Sequence, residues 1–229
     1  METLFTYRWL LGSLGCLLLP LLGIVGTRWH WWPYTLGLML LVAALGLAIL
    51  LLPLTLWHRQ WLAALPPLLL LMLVFPFMLR GLTLPAIHDI STDTTQPPLL
   101  TAAARLRSTS DHPTDYEGEA LARRQAATWP ALGPLLLPYP PEQVHRRVRS
   151  LITQRGWTLT ADNEQQLEAV VSSRLFGFRD DVAIRLTPVD IESGVHTKVD
   201  MRSASRVGKS DLGANAERIR AFLADLAQQ

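Results

Sequence analysis

Two short segments of this chain gather side chains of the kind that do chemistry. The first, Ile87–His88–Asp89–Ile90–Ser91–Thr92–Asp93–Thr94, holds one imidazole and two carboxylates. Such a set suits a hard cation or a proton transfer. The second runs from Arg202 to Asn215, Arg202–Ser203–Ala204–Ser205–Arg206–Val207–Gly208–Lys209–Ser210–Asp211–Leu212–Gly213–Ala214–Asn215, and opens a helix. Its glycines, hydroxyls and basic side chains, with the free N–H groups of a helix start, can hold an anion. The ligand-binding candidates are therefore His88, Asp89, Asp93, Arg202, Ser205, Arg206, Gly208, Asp211 and Asn215.

Each candidate also has a plainer use. Asp, Ser and Thr in loops bond their own backbone. Asp211 or Asn215 can cap the helix, and Arg202 and Arg206 can pair with Asp180 and Asp181. The plainer use is the expected one in both segments. The lysine and glycine spacing is not that of a Walker loop. There is no His-Glu-x-x-His, no nucleophile elbow and no dinucleotide fingerprint. The only cysteine is Cys16, so no cysteine pair can hold zinc or form a redox motif. No metal or cofactor is expected, and no catalytic residue can be assigned. Net charge is +2 with no basic stripe, so nucleic acid is not an expected partner. A loop, Leu175–Phe176–Gly177–Phe178, shows aromatics that can line a groove or touch a membrane; folding back over a sheet edge is its expected course.

The elements that must position these residues divide sharply. Trp9–Thr27, Tyr34–Trp57 and Trp61–Leu79 are each long and apolar enough to cross a bilayer as a helix, which takes about 20 residues. Up to Arg80 the only formal charges are Glu2, Arg8, Arg28, Arg59 and Arg80, all outside those stretches. A charge within one costs about 2.5–3.5 kcal/mol on the insertion scale. Trp9, Trp29, Trp31, Trp32, Tyr34, Trp57 and Trp61 sit at the span ends, where an amphipathic ring is best placed. The length of the first stretch, the lack of a small-x-small site after it and the spans that follow argue for a retained helix rather than a cleaved signal. Arg8 and Arg59 fall on one side and Arg28 and Arg80 on the other. From Gly81 to Ala104 there is no Lys or Arg. Cytoplasmic juxtamembrane segments are usually basic. The soluble region is thus expected outside, on the periplasmic side of a bacterial inner membrane.

Residues 81–140 form a Pro/Thr/Ser-rich arm punctuated by turns, with one short helix near Glu119–Thr128, and are expected to pack on the domain that follows. The arm should bring Asp89 or Asp93 near Arg202 or Arg206. Residues 141–229 are regular. Pro141 suits a first helical position, Val144, Val148, Leu151 and Ile152 follow at helical spacing, and Gly156 stops the helix. Alternation then marks four strands, around Trp157–Ala161, Leu167–Val171, Val182–Leu186 and Val195–Met201, before a last helix with Ile219, Phe222, Leu223 and Leu226. Short turns make the strands antiparallel. The fold expected is a three-helix transmembrane anchor plus a small α+β domain, with a sheet of about four strands covered by two helices on one face. Trp157, Leu159, Val171, Val182, Ile184, Val199, Phe222 and Leu226 should be buried together.

Three separated motifs then raise a likeness. They are Pro85–Ala86–Ile87–His88–Asp89–Ile90–Ser91–Thr92–Asp93; Gly156–Trp157 followed by Leu167–Glu168–Ala169 and Phe178–Arg179–Asp180–Asp181; and Arg202–Ser203–Ala204–Ser205–Arg206–Val207–Gly208 with Ser210–Asp211–Leu212–Gly213 and Asn215. From Pro85 onward the chain resembles the bacterial family catalogued as domain of unknown function 1499, and its spans resemble those of the membrane-anchored members. Where an aromatic–Pro–Asp element would be expected it has Trp129–Pro130–Ala131, so no carboxylate acts there. The resemblance implies a fold and an anchor and no reaction. The function expected is a non-enzymatic cell-envelope role, binding a lipid, an amphipathic or anionic ligand, or an envelope protein. The alternative is an envelope hydrolase or anion-binding enzyme using His88, Asp89 and Asp93 with Arg202 and Arg206.

Overall fold

A computed structural model of the chain describes residues 2–192 and 194–228. It divides into two compact units. The first is built on three helices, α1 (Glu2–Arg28), α2 (Tyr34–Trp57) and α3 (Trp61–Thr83). Their apolar windows are long enough to cross a membrane: Tyr7–Arg28, Tyr34–Trp57 and Trp61–Thr83. The third thus runs past the expected end at Leu79, as far as Thr83. Gly23 and Gly37 let α1 and α2 approach closely; a Cβ on Gly23 would lie 2.7 Å from the Gly37 carbonyl oxygen. Residues 173–177 group with this unit.

The second unit holds β1 (Asp89–Ser91), α4 (Thr101–Leu106), α5 (Glu119–Thr128), β2 (Leu135–Leu137), α6 (Pro141–Gln154), β3 (Thr158–Asp162), β4 (Gln166–Ser172), β5 (Arg179–Ile191), β6 (Gly194–Ser205) and α7 (Ala214–Ala227). The sheet is antiparallel in the order β1-β6-β5-β4-β3, with β2 also on β6. The four strands read from alternation are β3 to β6. The other two come from the arm. β6 is longer than any segment that pairs on its far side, so its free edge takes β1 at Arg202–Ala204 and β2 at Thr197–Val199. Three-residue strands are too short to show a period.

Pro141 opens α6, and Gly156 ends the turn after it with φ +67°. The apolar face of the sheet meets α6 and α7. Val182, Ile184, Val199, Phe222 and Leu226 lie in one buried core with Met201, Val144 and Ile219, and Trp157, Leu159 and Val171 pack against it partly exposed. The expected register holds. Trp157 stacks on Phe222 at 5.2 Å.

The opposite face is unlike a solvated one. Strand alternation places Glu168, Asp181, Ala183, Arg185, Asp200, Arg202 and Ala204 on it, and all but Arg185 are buried. The arm covers them. Leu100 and Ala103 pack on Ala183 and Ala204.

Candidate functional site: a buried polar sheet face

Arg202, on β6, is 1 % exposed. Its Nε and Nη2 donate to Asp89 Oδ1 and Oδ2 at 3.0 and 2.7 Å. Its remaining donors reach the carbonyls of Pro98 (3.3 Å) and Thr114 (2.8 Å), and its guanidinium lies 5.4 Å from the Tyr116 ring centroid. A bidentate, charge-assisted pair of this kind fixes two planar groups in one geometry. It closes because β1 sits antiparallel beside β6, with Ser91 opposite Arg202 and Asp89 opposite Ala204.

Arg206, just past β6, makes a second bidentate pair, with Asp181 of β5 at 3.1 and 2.7 Å. Asp181 also accepts from Arg107 Nε at 2.8 Å. Arg107 comes from the arm and ties it down further through the carbonyls of His112, Pro113 and Ala204. A third group joins Arg185 to Asp93 and Asp200, each at 3.0 Å, with Lys198 3.1 Å from Asp200. Burial tends to raise the Asp93 pKa, but the Gln96 and Thr95 amides and the Arg185 and Lys198 charges outweigh it and hold the carboxyl below its ordinary value. Glu168 stands at the start of α4. Its carboxylate accepts from the amides of Thr101, Ala102 and Ala103 and from the Thr101 hydroxyl.

The remaining candidates meet where β6 runs into α7. Asp211 accepts from the Gly213 and Asn215 amides at 2.8 Å each, which caps α7. Burial raises its pKa against those two bonds. Asn215 Nδ2 donates to the His88 carbonyl and to Ser205 Oγ, both at 3.0 Å, while Ser203 Oγ donates to Asn215 Oδ1. The His88 ring stacks on His112 with centroids 3.9 Å apart. His112 Nε2 bonds the Gly208 carbonyl at 2.9 Å, and Glu117 lies 4.0 Å from His88 Nε2. Burial and the neighbouring His112 push the His88 pKa down, against the pull of Asp89, Glu117 and Asp211. Burial, with Asp89, drives the Tyr116 phenol up to about 12.

The structure therefore brings Asp89 to Arg202, and His88 to Ser205, Gly208, Asp211 and Asn215. It does not bring Asp93 or Arg206 to either. Asp180, a suggested partner of the arginines, pairs instead with Arg218. Arg107, His112, Tyr116, Glu117, Arg185 and Asp200 stand outside the sequence candidates, and Glu168 enters there only through the motif Leu167–Glu168–Ala169. Glu168 and Asp200 alternate with apolar residues, as they would on a solvated face, and Arg107 stands in an aperiodic arm, so the pattern marks none of the three as buried. Among the described residues, no group of three His, Cys, Asp or Glu side chains is placed to hold a metal ion. Both arginines that suited an anion already hold carboxylates in fork geometry.

The family model described as "Protein of unknown function (DUF1499)" matches residues 89–226. A comparison with curated proteins found no match.

Proposed function

Starting from the premise that the chain belongs to the DUF1499 family, we propose that it is a membrane-anchored binding domain of the cell envelope that performs no reaction of its own. The domain lies on the extracytoplasmic side of a bacterial inner membrane, and its partner is a lipid, an amphipathic ligand or another envelope protein. The observation that carries this reading is the state of the two best candidate groups. Arg202 and Arg206 are buried and saturated by Asp89 and Asp181; the first pair joins arm to sheet, and the second ties β5 to the end of β6, where Arg107 of the arm joins it. Groups so engaged hold a shape; freeing them for a ligand would strand a buried charge. The space between sheet and helices is filled by Ile184, Met201, Ile219 and Phe222, all fully buried. A partner therefore meets the outer surface, which favours a protein over a lipid chain drawn between the layers.

One observation favours the enzymatic alternative. His88 is partly exposed and its pKa is lowered, so it is a free base at neutral pH. That alternative draws on Asp93 and Arg206 as well, and these sit in other clusters.

Native mass spectrometry of the detergent-extracted full chain tests the proposal. A bound lipid or protein mass is expected. Bare protein that hydrolyses ester or phosphoester substrates, and stops doing so on His88→Ala, would overturn it.

A further inference from the structure

The two ends of the sheet are finished differently. At the β1 end the edge is closed by a side chain. Gln125 of α5 accepts from the Ser91 amide at 3.0 Å and donates to the Ser91 carbonyl at 2.7 Å, taking the place of a neighbouring strand. Beyond the reach of β4, the distal part of β5 carries Pro188, which cannot donate to an added strand. The β3 end has neither device. β3 pairs only with β4, and among the described residues no backbone or side-chain group bonds its outer side.

A groove of about 330 Å³ runs along this edge, lined by Thr101, Ala102, Arg105 and Leu106 of α4 and by Thr160, Ala161 and Asn163. A bulge between Leu159 and Ala161 shapes it. Ala161 consequently lies opposite Glu168, on the polar-face side where α4 sits, while Leu159 stays on the core side opposite Ala169. The groove floor is made of small side chains. Leu106 is 51 % exposed on one wall. Arg105 is exposed too, and among the described residues it has no ion-pair partner. An open strand edge with a helix beside it is the arrangement that accepts an extended peptide, the main chain giving affinity and the groove reading alternate side chains.

We propose that the β3 edge docks an extended segment of a partner protein as an added strand, with an apolar side chain on Ala102, Ala161 and Leu106 and a carboxylate against Arg105. The carboxylate is an acidic side chain or the segment's own C-terminus. This rests on the binding-domain reading above and names its partner.

The probe is a displayed library of random linear peptides, selected on the full chain in detergent, with the enriched peptide then synthesised with free and amidated C-termini. The free and amidated forms separate a terminal carboxylate from an acidic side chain. Enriched sequences should alternate in polarity and carry a carboxylate. The bound peptide should slow amide exchange across Thr158–Asp162. Arg105→Glu should weaken binding at least about tenfold, Arg105→Lys should largely keep it, and Ala161→Trp, which fills the floor, should abolish it. Unchanged melting curves establish that the variants fold. If no peptide is enriched, if protection maps to another face, or if Arg105→Glu binds as the parent does, the inference is wrong. The wider reading is judged separately, by the native mass measurement.

Discussion

Arg202 shows what a single residue does in this domain. Its charge is buried, so its worth lies in not being alone. Replacing Asp89 or Arg202 by Ala leaves the other charge uncompensated and should cost about 3–5 kcal/mol each. The double replacement should cost less than the sum, with a coupling of about 1.5–3 kcal/mol, the range for hydrogen bonds to charged groups. Denaturation of the full chain in detergent measures both, and simple additivity would refute the coupling. His88 carries a second prediction. Its folded pKa lies below its ordinary value of 6.5. Below that pH the unfolded chain takes up a proton that the folded one resists, so stability falls as pH drops from about 6.5 towards the folded pKa. Melting temperature should decline over that window, and His88→Phe, which keeps a ring against His112, should flatten the decline. Asp93, with its pKa held down, supplies stability that is lost as pH falls from its ordinary 3.8 towards the folded value.

At the scale of elements, length decided what could be read. α6 and α7 carry apolar residues through several turns, and β3 to β6 alternate long enough to declare a face. α4 has six residues and no periodic face, and a helix so short has little stability of its own. It exists because Glu168 satisfies its first amides and because Ala103 packs on the sheet. Glu168→Ala should cost about 1–3 kcal/mol, the loss of a buried acceptor with several donors. Amide exchange should speed up across Thr101–Leu106 and stay unchanged in α6. Equal acceleration in both helices would mean that Glu168 supports the whole sheet rather than α4. β1 and β2 are likewise products of their partner, since both form on the free edge of β6.

At the scale of the whole molecule, three apolar helices precede a domain with covered faces on both sides of its sheet. An odd number of spans puts the two termini on opposite sides of the membrane. On the proposed sidedness, which puts Arg8 and Arg59 inside and the lysine- and arginine-free segment from Gly81 to Ala104 outside, a reporter fused after Gln229 should be active only on the extracytoplasmic side. Adding lysines near Asp89 is not a fair control, because that segment is buried in the fold; adding them at Thr83 and Leu84 is, and should lower the active fraction. Activity in the cytoplasm would reverse the sidedness and remove the periplasmic partner from consideration.

Composition and periodicity alone suffice for the three long apolar helices, the order of helix, strands and helix, and the apolar face that α6 and α7 cover. Those features are local or periodic: span length, the 3.6 and 2.0 repeats, and Pro141 and Gly156 as punctuation. The sequence also restricted the meeting of arm and domain to four pairings, between Asp89 or Asp93 and Arg202 or Arg206. The tertiary structure realises one of them, Asp89 with Arg202, and gives the other two residues partners outside that set, Arg185 to Asp93 and Asp181 to Arg206. A polar residue alternating with apolar ones looks the same whether water or another segment lies above it. The difference between a solvated face and a buried network was decided by the arm, whose contacts join residues about a hundred positions apart and leave no period in the chain.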